Sequence, residues 1–199
     1  PTPAAPAAGP PPSGEGLVGH KLNNRYLVEQ HIGEGGFGDV YKAKQIQMNR
    51  EVAIKVLSPA MSKDPKLVER FRREAQAACN LRDPHTIITY DFAQTDNELL
   101  YIAMELLQGE ALFDVMEREA QGMLPSRVVG ILEQCCPSLG EAHLQGIVHR
   151  DIKPENIFLA RLASGETVVK IVDFGISKAM HPEQNISLYA SDAGDEMLT

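Results

Sequence analysis

The sequence predicts an α+β fold in which a β-rich first half precedes a mainly helical second half. Segments rich in β-forming residues recur through the first half, at 26–32, 40–44, 52–57, 87–92 and 99–105. Between the third and fourth of these, residues 64–81 carry apolar side chains at spacings of three and four, as one face of a helix requires. The chain has 199 residues, of which 43% are hydrophobic, enough for one large or two small lobes.

The first two predicted strands flank a run of glycines, which indicates a hairpin with a Gly-rich tip. Glycine lets backbone N–H groups approach phosphates closely. In a dinucleotide-binding fold such a motif would open a helix, whereas Asp39-Val40-Tyr41 is typical of a second strand. The predicted phosphate-binding loop comprises Ile32, Gly33, Glu34, Gly35, Gly36, Phe37, Gly38, Asp39 and Val40.

Lys55, in the third predicted strand, is the candidate to hold phosphate oxygens of a nucleotide. A flexible ammonium group stays in place only where a carboxylate holds it. Glu74, on the polar side of the predicted helix 64–81, is the expected partner, and Glu69 is the main competitor.

The second half predicts one long helix and one short β pair. Val128, Leu132, Cys135, Leu139 and Ala142 share a helical stripe. Pro137 lies within it, so we expect a bend or local defect there. Residues 157–159 and 168–172 predict two strands that turn at 164–165.

The residues from His149 to Asn156, followed by Asp173-Phe174-Gly175, carry the chemistry of phosphoryl transfer. Asp151 is the candidate to accept the proton of an attacking hydroxyl, and Lys153 to neutralise the moving phosphoryl group. Asn156 and Asp173 offer hard oxygen ligands for Mg²⁺. We expect His149 to pack beside this loop.

Composition excludes several classes of function. The net charge is -8 and no Lys/Arg cluster occurs, so nucleic acid is not an expected partner. The three cysteines and six histidines show no disulfide framework and no metal-binding spacing, which favours a reduced, cytoplasmic location. No apolar run is long enough to predict a membrane segment.

The first 19 residues are rich in Pro and Ala and predict a disordered tail. A proline-rich ligand for an aromatic groove is the alternative, although no basic anchor accompanies the prolines.

These motifs resemble those of the protein kinase family, and Lys153-Pro154-Glu155 is similar to its serine/threonine branch. The Gly-rich loop and residues 151–156 are similar to bacterial kinases of eukaryotic type. The resemblance implies a two-lobed protein kinase-like fold with a five-stranded antiparallel N-lobe, one N-lobe helix and an incomplete, mainly helical C-lobe. The expected domains are a tail at 1–19, an N-lobe at 20–107 and a partial C-lobe at 108–199 that ends in the activation segment.

The resemblance also implies that ATP and Mg²⁺ bind between the lobes. Val40, Ala53 and Phe158 would enclose the adenine ring. The segment containing Met104, Glu105 and Leu107 would supply backbone groups to the adenine edge. The Met104 side chain would control access to the space behind the adenine.

Arg150, directly before Asp151, is implied to meet a phosphate on the activation loop. Three hydroxyl residues are candidates for that phosphate: Ser187, Ser191 and Thr199. Thr199 is preferred because the family places its threonines late in this loop.

The expected function is a serine/threonine protein kinase that transfers the γ-phosphate of ATP to protein hydroxyls, with autophosphorylation through self-association and a signalling role. The chain ends 26 residues after Asp173 without an Ala-Pro-Glu motif, so we expect a C-terminally truncated catalytic domain. The alternative is an inactive, truncated kinase-like interaction module. A small-molecule phosphotransferase is a third possibility, which the Lys-Pro-Glu-Asn run and Gly175 disfavour.

Overall fold

A six-stranded antiparallel sheet forms the first lobe. The computed structural model describes residues 14–35, 38–57, 68–69, 72, 75–76, 78–119 and 122–174. The strands are β1 (Lys21–Leu22), β2 (Tyr26–Gly35), β3 (Gly38–Gln45), β4 (Arg50–Leu57), β5 (Thr89–Gln94) and β6 (Leu100–Glu105). Their order in the sheet is β1-β2-β3-β4-β6-β5. The five predicted strands are therefore confirmed as β2 to β6, and β1 adds a two-residue edge.

The predicted helix at 64–81 is described only in part. Residues 68, 69, 72, 75, 76 and 78 are helical. Ala75 is buried, and Ala78 packs on the core of the second lobe. The other two residues of the predicted stripe, Leu67 and Phe71, lie outside the described residues.

The second lobe combines helices with a small sheet. Its elements are β7 (Gly109–Ala111), α1 (Leu112–Arg118), α2 (Pro125–Leu144), β8 (Ile157–Arg161) and β9 (Thr167–Ile171). The three strands are ordered β7-β8-β9. The β8–β9 pair confirms the predicted pair, whereas the three-residue β7 was not predicted.

Helix α2 buries only part of the stripe that the sequence predicts. Ile131, Cys135, Ser138 and Ala142 are its buried residues, and the helix continues through Pro137. Of the predicted stripe, Cys135 and Ala142 are buried, whereas Val128 and Leu132 are 40% and 52% exposed. These two exposed residues line, with α1, an apolar groove. Apolar residues at spacings of three and four fit two adjacent rows of one helix, so the period alone does not decide which row is buried.

The two adjacent cysteines of α2 occupy different environments. Cys135 is buried and Cys136 is exposed. Burial raises the pKa of the Cys135 thiol to about 11.

The folded region begins before residue 20, the predicted start of the first lobe. Gly14–Leu17 forms a 3-10 turn, and Leu17 is only 3% exposed within the core of the β1–β6 sheet. The Gly19 N–H donates to the carbonyl of Val28 at 2.9 Å. The last residues of the predicted tail thus contact the first sheet, while residues 1–13 lie outside the described part.

Residues 82–87, which we call the interlobe joint, connect the two lobes. The Ile87 N–H donates to Ile171 O at 3.0 Å, and the Ile171 N–H donates to His85 O at 2.7 Å. The Glu141 carboxylate of α2 accepts hydrogen bonds from the N–H groups of Arg82 and Asp83. The joint thus ties the segment before β5 to β9 and α2.

None of the helices in the described part of the chain is long and apolar enough to cross a bilayer.

Candidate catalytic site

The Gly-rich hairpin is formed by β2 and β3, which remain paired up to Gly35 and Gly38. Gly38 has φ of +137°, and a Cβ there would lie 1.9 Å from Val56 O. Only glycine fits this close approach to β4. Seven residues of the predicted loop lie on these two strands, whereas Gly36 and Phe37 lie outside the described residues.

Lys55 reaches from β4 to the second lobe. The residue is 5% exposed, and its Nζ lies 2.7 Å from Asp173 Oδ2. This ion pair joins positions 118 residues apart in sequence. Glu74 lies outside the described residues, so its pairing with Lys55 stays a prediction. Glu69, the competing candidate, has an exposed side chain.

Asp151 is held by residues of its own loop. Asn156 Nδ2 donates to the Asp151 carbonyl at 2.7 Å and to its Oδ2 at 3.0 Å. Lys153 Nζ lies 3.3 Å from Asp151 Oδ2. These contacts fix the carboxylate while its side chain remains 26% exposed, so an incoming group can still reach it.

His149 contacts the backbone of this loop, and the residue is only 1% exposed. The Asp151 N–H donates to His149 Nδ1 at 3.3 Å, which makes Nε2 the protonated nitrogen that donates to Val172 O at 2.8 Å. The ring also packs edge-on against Phe174, with centroids 4.7 Å apart. Burial lowers the pKa of His149, so the neutral ring is favoured, in agreement with the expected packing role.

Two residues of the site have left-handed backbone conformations. Arg150 has φ of 66° and Asp173 has φ of 62°. Such values are uncommon for residues other than glycine and cost energy that the surrounding structure must offset. The Val172 N–H, which donates to Asn156 O at 3.0 Å, fixes the chain just before Asp173.

An apolar cluster lies on the face of the first sheet that carries Val40 and Ala53. Ala53 and Met104 belong to one buried cluster, against which Val40 and Leu107 pack. Met104 also lines a small pocket, together with Asp173 and Phe174. Phe158 is partly buried on β8, where it pairs with Ala111 and Lys170.

Glu105 and Lys170 form a buried ion pair that sequence reasoning missed. Lys170 Nζ lies 2.7 Å from Glu105 Oε1 and 3.2 Å from Thr86 O. The same Glu105 oxygen accepts the Ile88 N–H at 2.8 Å. The signal was a single lysine inside the otherwise apolar run 168–172, because a lysine is rarely buried without a partner.

The Gly-rich hairpin lies next to the buried Lys55, and Lys55 contacts Asp173 of the second lobe. Together with the loop that carries Asp151, Lys153 and Asn156, this arrangement defines the protein kinase class of fold and site. The family described as protein kinase domain matches residues 26–196. The chain therefore belongs to the protein kinase domain family.

Several curated bacterial relatives carry serine/threonine kinase names. Serine/threonine-protein kinase pkn3 of Myxococcus xanthus is 40% identical over 167 residues, covering 84% of this chain and 30% of the relative. PrkC of Bacillus subtilis is 39% identical over 82% of this chain and 24% of its own length. PknB of Mycobacterium tuberculosis is 36% identical over 82% of this chain and 26% of its length. This chain thus spans less than a third of each.

The same family resemblance extends to solved structures. The PknI kinase domain of Mycobacterium tuberculosis has a TM-score of 0.71 and 32% identity, covering 80% of this chain and 62% of that chain. This likeness confirms the predicted kinase-like fold.

Proposed function

We propose that this protein is a serine/threonine protein kinase that transfers the γ-phosphate of ATP to hydroxyl groups of protein substrates. The observation that carries the proposal is the contact of Lys55 with Asp173, 2.7 Å long, beside the anchored Asp151 carboxylate. The relatives' names support the serine/threonine class. We extend the proposal to the division of the chain into lobes at about residue 107, to autophosphorylation through self-association, and to a cytoplasmic signalling role.

The donor set at the site suits Mg²⁺. Asn156 uses its Nδ2 to bond Asp151, which leaves Oδ1 as the atom for a metal ion. Asp173 Oδ2 accepts the hydrogen bond from Lys55, which leaves Asp173 Oδ1 as the atom for the ion. Mg²⁺ prefers such hard oxygen ligands, together with water and phosphate oxygens. When bound, the ion would neutralise charge on the transferring phosphoryl group.

The proposed place for ATP is between the lobes, on the apolar face that carries Val40 and Ala53. Val40, Ala53 and Phe158 would enclose the adenine, and the backbone from Met104 to Leu107 would meet its edge. Lys55 would hold the α- and β-phosphates, while the Gly-rich hairpin would cover them from above.

Asp151 would orient the substrate hydroxyl and accept its proton. Asn156 keeps this carboxylate in one place, and Lys153, 3.3 Å away, can move onto the transferring phosphoryl group. Arg150, which is exposed, would meet a phosphate on the activation loop. The candidate acceptors Ser187, Ser191 and Thr199 lie outside the described residues, and phosphopeptide mapping that found only the serines would contradict the preference for Thr199.

Transfer of labelled γ-phosphate from ATP–Mg²⁺ to a basic protein tests the proposal. We expect Asp151→Asn to lower the rate by about 100-fold or more, the typical contribution of a positioned base. Asp114→Asn removes the same charge from an exposed position on α1 and should transfer label like the unchanged chain.

Other outcomes would favour the competing functions. Nucleotide binding without transfer by any variant would favour the inactive interaction module. Label on choline or an aminoglycoside and none on protein would favour a small-molecule phosphotransferase.

A further inference from the structure

Three potential metal ligands meet on one face of the Gly-rich hairpin. They are His31 and Glu34 of β2 and Asp39 of β3, and one ligand atom from each lies within 4.8 Å of the others. One nitrogen and two carboxylate donors are thus brought together by side chains that the proposed kinase mechanism does not use.

An irregularity in β2 creates this grouping. His31 pairs with Tyr41, and Glu34 pairs with Asp39, so three steps along β2 match two steps along β3. In a regular strand, residues three apart point to opposite faces. One extra residue in β2 brings His31 and Glu34 to the same face. Spacing along the sequence therefore gave no sign of the cluster.

The cluster lies on the face of the hairpin away from the proposed ATP site. Asp39 and Tyr41 are two residues apart on β3 and share a face, while Val40 between them points to the other. Tyr41 belongs to the core of the β1–β6 sheet, whereas Val40 packs on the cluster that contains Ala53 and Met104. A ligand on the Tyr41 side would leave the proposed ATP site open.

His31 Nε2 is the feature that points to a bound ion. This nitrogen is shielded from solvent and has no hydrogen-bond partner within the described parts of the chain. It lies 3.6 Å from Asp39 Oδ1, a separation longer than a hydrogen bond. A buried polar atom without a partner costs free energy, and coordination of an ion by the nitrogen would remove that cost.

The surroundings orient the ligands. The His31 ring packs edge-on against Tyr41, with centroids 5.1 Å apart. Tyr41 Oη donates to Asp39 Oδ2 at 3.4 Å. Partners of this kind fix the direction of a metal-binding carboxylate and raise affinity.

We propose that His31, Glu34 and Asp39 form a binding site for a divalent transition metal ion of the Zn²⁺ type, with water in the remaining position. An imidazole nitrogen with two carboxylates suits Zn²⁺, whereas Mg²⁺ prefers an all-oxygen set such as Asn156 and Asp173. The ion links β2 to β3 and so ties together the two strands that carry the Gly-rich tip.

Direct binding of Zn²⁺ to the full chain, without nucleotide, tests this site by calorimetry. We expect one ion per chain. The Zn²⁺ affinity should fall by about tenfold or more in both His31→Gln and Asp39→Asn, because loss of a residue that only hydrogen-bonds a metal ligand already lowers metal affinity by about that factor. His143→Gln changes an exposed histidine on α2 and should leave the affinity unchanged. Equal Zn²⁺ affinity in the unchanged chain and His31→Gln would overturn the proposal.

A measurement on the unchanged chain removes any dependence on how well the variants fold. One equivalent of Zn²⁺ should shift the NMR resonances of the His31 ring, and Co²⁺ should give a visible absorption band. Unshifted His31 resonances would overturn the site and leave His31 and Asp39 as an ion pair. Neither experiment requires phosphoryl transfer, so its outcome is independent of the kinase proposal.

Discussion

Lys170 and Glu105 show how a single buried pair connects distant parts of the molecule. Lys170 lies on β9 and Glu105 ends β6, and their side chains are 10% and 19% exposed. The pair also holds the backbone of Thr86 and Ile88. Removal of either charge leaves the other desolvated, which costs more than the pair itself contributes.

We therefore expect Lys170→Met to lower the free energy of unfolding by about 1–3 kcal/mol. Chemical denaturation would measure this loss. The double variant Lys170→Met/Glu105→Gln should lose less than the sum of the two single changes, since it leaves no buried charge behind. Lys42→Met removes one side of the Lys42–Glu51 pair, which is more exposed than Lys170–Glu105, and should have a smaller effect.

His149 makes stability depend on pH. Its pKa in the folded chain lies below the ordinary value of 6.5 because the ring is buried. On acidification the unfolded chain therefore binds the proton first. The stabilisation is complete above about pH 6.5 and is lost as the pH falls towards the pKa of the folded state.

We expect the melting temperature to fall between about pH 7.5 and about pH 5.5, and to fall less in His149→Gln, which has no proton to bind in this range. Thermal unfolding followed by circular dichroism gives both slopes. The same slope in the two proteins would assign the pH dependence to other groups.

Residues close together in sequence were predictable, and distant partners were not. The chemistry of Asp151, Lys153 and Asn156 requires those residue types at short spacing, so their identities indicate the site. Lys170 and Glu105 are 65 positions apart, and no local pattern links them. The His31 cluster was hidden because the extra residue in β2 breaks the regular alternation.

Among the elements of the fold, the length of a strand decided whether it could be predicted from the sequence. Strands of five or more residues carry enough β-forming side chains to be recognised, but β1 and β7 contain two and three residues. Helix α2 was predictable from its period, while the row it buries depends on where α1 and the β8–β9 pair lie. Local sequence does not contain that information.

The short strand β7 depends on one glycine. Gly109 has φ of +143°, and a Cβ there would lie 2.1 Å from Leu159 O on β8. We expect Gly109→Ala to lower the free energy of unfolding by about 1–3 kcal/mol, because both the backbone and the strand pairing are strained.

Gly130→Ala is the matched comparison, since nothing lies within 4 Å of its Cβ position on α2. It should stabilise the protein by about 0.5–1 kcal/mol, as alanine favours a helix. Denaturation midpoints that moved in the same direction for both variants would contradict this account.

At the scale of the whole molecule, the interlobe joint determines how the two sheets are connected. The Glu141 carboxylate caps two N–H groups of the joint, and the buried Thr86 and Ser138 hydroxyls lie 2.6 Å apart beside it. The order of strands β4-β6-β5 and the pairing of Thr86 with Ile171 are non-local. Sequence periodicity cannot supply either, so the two-lobed arrangement followed from family resemblance alone.

Glu141→Ala should lower the free energy of unfolding by about 1.5–3 kcal/mol, the typical value for hydrogen bonds to a charged group. Glu133→Ala makes the same change at an exposed position of α2, so helix propensity affects both variants equally. Urea titration of the two variants measures the difference. Equal losses would show that the carboxylate does not hold the joint.

The two neighbouring cysteines of α2 give the molecule a natural attachment point for a spectroscopic label. Neighbours on a helix point about 100° apart, so the core covers Cys135 while solvent reaches Cys136. The raised pKa of Cys135 keeps its sulfur as the unreactive thiol at neutral pH. Burial also raises the pKa of Cys79, the third cysteine. A fluorophore that reacts with thiolates would therefore attach mainly to Cys136, on the same helix as Glu141, and could report on the second lobe without any engineered residue.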